Sequence, residues 1–117
     1  MTKELNINDN SVKNLLSELE NCLKNLFKDD LKKIILFGSY AKGNYDSESD
    51  LDIMVLIKHD SLRQYKHDVT KIALDLTIKY SILPSIMLEN EQEYNKNIHR
   101  QFLFKNIENE GIELYAA

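Results

Sequence analysis

Apolar residues recur at Val12, Leu15, Leu16, Leu19, Cys22, Leu23 and Leu26. This three–four spacing puts them on one side of a helix over residues 12–27, and the polar cluster at 8–11 offers N-caps. Asp29 and Asp30 break the stripe. Residues 33–37 then form a short apolar run that ends in Gly38, the profile of a strand covered on both faces. Residues 39–50 are polar and read as a helical turn followed by a loop. A second strand spans 51–57, where Ile53, Met54, Val55, Leu56 and Ile57 are continuous. Tyr65, Val69, Ile72, Ala73, Leu76 and Tyr80 share one side of a helix over 62–80. A third strand is predicted over 82–88, with Pro84 pointing to an edge or a bulge. A short helix starts within 90–94, and a longer one covers 98–108 and ends at Gly111, placed as a C′ glycine. Residues 111–115 return as a short extended piece. Helix, strand, turn, strand, helix, strand, helix predicts an α/β (α+β) chain, with a small mixed sheet and helices packed on it.

Composition adds few constraints. The chain has 117 residues, suited to a single domain over 1–117 with one core. It is 43% hydrophobic and 29% charged, with 3 Gly and 1 Pro, which excludes a fibrous repeat and gives no sign of disorder. No apolar run approaches the roughly 20 residues of a membrane span. The start, MTKELNINDN, lacks the apolar stretch of an export signal, so a cytoplasmic protein is expected. Net charge is −4, and the arginines are Arg63 and Arg100. That balance argues against gripping extended nucleic acid, which needs a basic face, but not against binding one nucleotide through a metal ion. The single cysteine, Cys22, sits on the first helix stripe and reads as a buried apolar position.

The chemistry concentrates in Gly38-Ser39, then ten residues, then Asp50-Leu51-Asp52. Side chains alternate along a strand, so Asp50 and Asp52 project from one face, roughly 6–7 Å apart. Two such hard oxygen donors suit Mg²⁺ whose other ligands are water and phosphate. Two ions there could clamp both oxygens of a phosphoryl transfer. Gly38 ends its strand without a side chain, leaving room for a phosphate, and Ser39 adds a hydroxyl. The turn Tyr40-Ala41-Lys42-Gly43 would aim free N–H groups at phosphates, with Lys42 as a further charge. Taken singly, a Gly-Ser ends many strands and an Asp-x-Asp caps many loops. In this order, between two buried strands, carboxylates on one face repel each other unless a cation joins them. Tyr40 and Tyr45 flank the turn and either stack on a base or pack in the core. His59, His67 and His99 show no metal-ligand spacing and read as surface residues. Asp75 and Lys79 are spaced for a helical ion pair.

Gly38-Ser39-x10-Asp50-Leu51-Asp52 resembles the signature of the DNA polymerase β-like nucleotidyltransferase superfamily, and FGSYAKGNYDSESDLDIMVLI resembles the minimal nucleotidyltransferases (MNT) within it. The likeness runs along almost the whole chain. It implies the nucleotidyltransferase fold and a mechanism in which a hydroxyl attacks the α-phosphate of a metal-bound nucleoside triphosphate, expelling pyrophosphate. Asp50 and Asp52 would be the catalytic and metal-holding residues, with Mg²⁺ as two ions. Gly38, Ser39 and Lys42 would bind the nucleotide, ATP. The resemblance also implies a third carboxylate on a neighbouring strand, yet residues 82–88 hold neither Asp nor Glu. Ser85 or Met87 falls near the expected place, and Glu89 follows at the strand end. Proteins of this type are often encoded beside a HEPN protein as a toxin–antitoxin pair, the MNT partner being the antitoxin that adds AMP to a tyrosine of the toxin. The alternatives are a degenerate antitoxin that neutralises a HEPN toxin by contact alone, and nucleotidyl transfer to a small molecule.

Overall fold

A computed structural model describes residues 9–46 and 48–117. Residues 1–8, on which the reading of the leader rests, lie outside them. The described chain runs α1 (Asn10–Phe27), a 3-10 turn (Lys28–Asp30), β1 (Leu31–Phe37), α2 (Ser39–Lys42), β2 (Leu51–Ile57), a 3-10 turn (Arg63–Tyr65), α3 (Lys66–Tyr80), β3 (Pro84–Asn90), α4 (Glu91–Asn97), α5 (Phe102–Glu110) and β4 (Ile112–Ala116). The strands make one mixed sheet in the order β3-β2-β1-β4. β1 is antiparallel to β2 and β4, and β2 is parallel to β3, as the α3 crossover between them requires. The α+β architecture with a small mixed sheet is therefore the one the periodicity predicted.

Each element has a local cause. The Asp9 carboxylate accepts from the backbone N–H of Ser11 and Val12, so an N-cap does come from the predicted cluster. The α1 stripe buries Val12, Leu15, Leu16, Leu19 and Leu23 against α3 and one sheet face, where Ile34, Leu36, Ile53, Val55 and Ile57 complete the larger core. The opposite face carries a smaller core, in which Ile35, Met54 and Leu56 meet Tyr94, Phe104 and Ile107 from α4 and α5. Coverage on both faces explains why β2 is apolar without interruption from Ile53 to Ile57. Cys22 departs from the stripe reading by being half-buried rather than fully buried, and burial raises its thiol pKa.

Several boundaries and contacts differ from expectation. The third strand begins two residues later, at Pro84, and runs on to Asn90, whose side chain ends it by capping α4, accepting from Glu93 N–H at 3.0 Å. Pro84 is its first residue on an edge strand, where a missing N–H is tolerated. The last helix starts at Phe102, since the Arg100 and Gln101 N–H groups close a turn onto Asn97 O. His99 thus precedes that helix, and His59 is half-buried rather than a surface residue, its Nδ1 accepting from Ser61 N–H. Lys79 pairs with Glu18 of α1 at 2.7 Å instead of Asp75, and the Tyr80 hydroxyl donates to the same carboxylate at 3.0 Å. A clamp between helices thereby replaces a pair within one.

Gly111 follows α5, but its φ is −71°, not left-handed. It is glycine for want of space. A Cβ there would lie 2.5 Å from the Ile107 carbonyl oxygen and 2.6 Å from Ile35 Cγ2. Gly111→Ala should therefore cost about 1–3 kcal/mol through overpacking alone, read as a lower urea midpoint at unchanged slope.

Candidate active site

The antiparallel pairing of β1 with β2 sets Phe37 opposite Asp52, so the residue after Phe37 comes up against that carboxylate. It is Gly38, with φ 76° and ψ −154°, a conformation open essentially to glycine alone. A side chain here would also collide with the Asp52 carboxylate, for a Cβ built on Gly38 falls on Oδ2. Gly38 O accepts from the N–H groups of Ala41 and Lys42, both at 3.1 Å, and so starts α2. The N–H groups of Ser39 and Tyr40 precede those bonds and have no partner within the turn. Gly43 ends the turn at φ 81°.

The loop before β2 is braced from within. Asp46 Oδ1 accepts from Glu48 N–H at 2.9 Å, and Ser49 Oγ accepts from Asp46 N–H at 3.0 Å. The chain then reaches Asp50, which is exposed, and Asp52, which is half-buried inside the strand. Alternation from Met54 and Leu56 puts Asp52 on the α4/α5 side of the sheet. Burial raises the Asp52 carboxyl above its ordinary pKa, and the charge of Asp50 pushes the same way. The two acids thus sense each other across Leu51. Such a pair offers hard oxygen ligands to one divalent cation, and that donor set fits Mg²⁺ with phosphate and water completing the shell.

The other candidates fall out differently. Ser39 begins α2 beside Gly38. Lys42, on the same turn, extends to Glu110 of α5, with Nζ 3.2 Å from Oε2 and both side chains about half exposed. Lys42, Glu110, Gly38, Phe37, Leu103 and Ile107 help line a cavity of about 220 Å³. Two hollows of about 710 and 720 Å³ lie along α3 and β3 and at the far end of the sheet, and neither includes the Asp pair. Tyr40 and Tyr45 stack on each other, with ring centroids 4.2 Å apart, and Tyr40 is buried in the larger core. Core packing, not an open base platform, is what these rings do here. Glu89 is opposite Leu56, whereas Ser85 is opposite Asp52. Among the described residues no group of three His, Cys, Asp or Glu comes together. Sequence reasoning missed Glu110 as the partner of Lys42 and Asp46 as the brace of the loop; only the Asp-x-x-Ser spacing of the second left a signal.

Two stability measurements probe this geometry. Gly38→Ala should lose about 1–3 kcal/mol from backbone strain, with a further loss from collision with Asp52. Asp52→Asn should raise the stability of metal-free protein at neutral pH by up to about 1 kcal/mol by removing a like-charge contact. Because the folded-state pKa of Asp52 is raised, its ionised form opposes folding above that pKa and not below it. The advantage of Asn should therefore be full at pH 7 and fade as pH falls through the Asp52 titration, as urea unfolding in EDTA at several pH values would show.

Comparison with known proteins gives the constellation a context. The nucleotidyltransferase domain model matches residues 16–114. Two relatives from Methanocaldococcus jannaschii bear the names "Putative protein adenylyltransferase" MJ0141 and MJ0604. The first is 37% identical over 86% of this chain and 95% of its own length, and the second 38% over 86% and 94%. Among solved structures, a chain from the crystal structure of a toxin–antitoxin with AMP-PNP superposes with a TM-score of 0.58 at 20% identity, over 95% of this chain and 75% of that one. A chain from a complex of tri-AMPylated Shewanella oneidensis HEPN toxin with MNT antitoxin gives 0.55 at 17%, over 90% and 72%. At those identities the structures establish a shared fold, while the family model and the archaeal relatives span the Gly38–Asp52 segment and nearly all of the chain around it. With its glycine turn seated on the second of two paired aspartates, this chain belongs to the nucleotidyltransferase domain family.

Proposed function

We propose that this nucleotidyltransferase transfers AMP from ATP to a hydroxyl acceptor, a tyrosine of a cognate HEPN-family toxin, and so serves as the antitoxin in the cytoplasm. The observation that carries the reading is the packing of Gly38 on Asp52, which brings a side-chain-free backbone turn and a carboxylate pair to one point. The adenylyltransferase names of the archaeal relatives support AMP as the transferred group. The likeness in fold to chains from HEPN–MNT and AMP-PNP-bound toxin–antitoxin structures supports the partner and the nucleotide.

The geometry supports a division of labour. Asp50 and Asp52 would hold Mg²⁺, which neutralises phosphate charge and makes the α-phosphorus more electrophilic. The open backbone at Gly38 and the N–H groups of Ser39 and Tyr40 would receive phosphate oxygens. Lys42 would contribute after leaving Glu110. The acceptor oxygen forms a bond to the α-phosphorus, the α–β anhydride bond breaks, and the hydroxyl proton is released as pyrophosphate departs. Catalysis of this kind is mainly positioning and electrostatic stabilisation. No helix among the described residues is long and apolar enough to cross a membrane.

A second reading has its own observation. The register places a serine, not an acid, beside Asp52, which favours an antitoxin that neutralises its toxin by contact without turnover. Incubation with labelled ATP, Mg²⁺ and the HEPN protein encoded beside this chain separates the two. Transfer predicts label on a toxin tyrosine, lost by at least about 100-fold in Asp50→Ala and Asp52→Ala. Lys42→Ala, which removes one exposed charge, should cost about 10-fold or less, mainly in the KM for ATP. A tight complex that never acquires label would replace transfer with the contact reading.

A further inference from the structure

Asp52 has four nearest positions on its face of the sheet: Phe37 across on β1, Ser85 across on β3, and Asp50 and Met54 along its own strand. Phe37 and Met54 are apolar and pack with the smaller core. Asp50 is already half of the pair. Within the sheet, a further side-chain oxygen beside Asp52 can therefore come only from position 85, and the residue there is an exposed serine. The one acid on the same face of β3 is Glu89, four residues further along. At about 3.3 Å per residue it stands roughly 13 Å away, beyond the reach of a shared metal ligand. Its carboxyl is partly buried in place, which raises its pKa.

The donor set therefore fits one divalent ion and not two. Asp50 and Asp52 are the anionic donors the sheet brings there, enough to anchor one ion whose shell the nucleotide's phosphates and water complete. A second ion would depend on sharing those oxygens, with no anion of its own from the described residues. Neutral hydroxyls bind Mg²⁺ weakly compared with carboxylates. We infer that the site takes a single divalent cation per chain together with its nucleotide, and that position 85 sets this number. The inference rests on the proposed nucleotide site. Ser85 is exposed on an edge strand, so a carboxylate introduced there meets no packed neighbour and points to the face that Asp52 occupies.

The test counts ions in the full-length chain. Protein in excess over a non-hydrolysable ATP analogue is titrated with Mn²⁺, and free Mn²⁺ is followed by electron paramagnetic resonance. One Mn²⁺ per nucleotide-bound chain is expected for the wild type and for Ser85→Asn, and two for Ser85→Asp. Two ions in the wild type would overturn the inference while leaving the nucleotide site intact. So would a Ser85→Asp protein that binds the analogue yet retains one ion. If Ser85→Asp does not fold, the wild-type count decides by itself. Failure of the wild type to bind the analogue with Mn²⁺ at all would instead bring down the nucleotide site, and this inference with it.

Discussion

The candidate site depends on one close approach. β1 and β2 pair so that Phe37 faces Asp52, and the chain leaves β1 by passing directly over the Asp52 carboxylate. That path exists only for a residue without a side chain and with φ in the positive range, so Gly38 satisfies two demands with one omission. Once the backbone is held there, α2 must start where it does, because both of its first bonds end on the Gly38 carbonyl. The glycine turn and the acid pair are therefore not two features that happen to be near. They are consecutive consequences of one strand register.

The rest of the fold holds that register in place. α1 and α3 cover one face of the sheet, tied to each other by Glu18, Lys79 and Tyr80. α4 and α5 cover the other and leave its Asp50–Asp52 end uncovered enough for Asp50 to be exposed. Gly111 lets β4 come in tightly beside β1 after α5. Partial burial beside a second acid makes Asp52 unfavourable in the metal-free protein, a local cost of a kind that functional sites carry more often than structural ones. A bound cation would reverse its sign.

Legibility in the sequence varied with the range of the cause. The α1 stripe and the unbroken apolar run of β2 repeat over many residues, and their elements appear where periodicity put them. The end of β3 and the start of α5 depended on a few local hydrogen bonds, Glu93 N–H to Asn90 and the turn closed on Asn97, which periodicity does not register. The Gly-Ser and Asp-x-Asp spacing pointed to a nucleotide site, and the family it implied is the one whose domain model matches. The attachment of Lys42 to Glu110 was invisible, since 68 positions separate them along the chain.

Taken alone, the sequence determined which residues could do chemistry and that two buried strands would carry them. Residue type and local spacing suffice for that, because alternation and helical periodicity act over a few positions. Tertiary structure decided what those residues meet. Parallel pairing of β2 with β3 put Ser85, and not Glu89, beside Asp52, and antiparallel pairing with β1 laid Gly38 on its carboxylate. A register shifted by one residue would turn every one of these side chains to the opposite face. Which side chains share the site was settled there, by the alignment of strands that lie far apart in the chain.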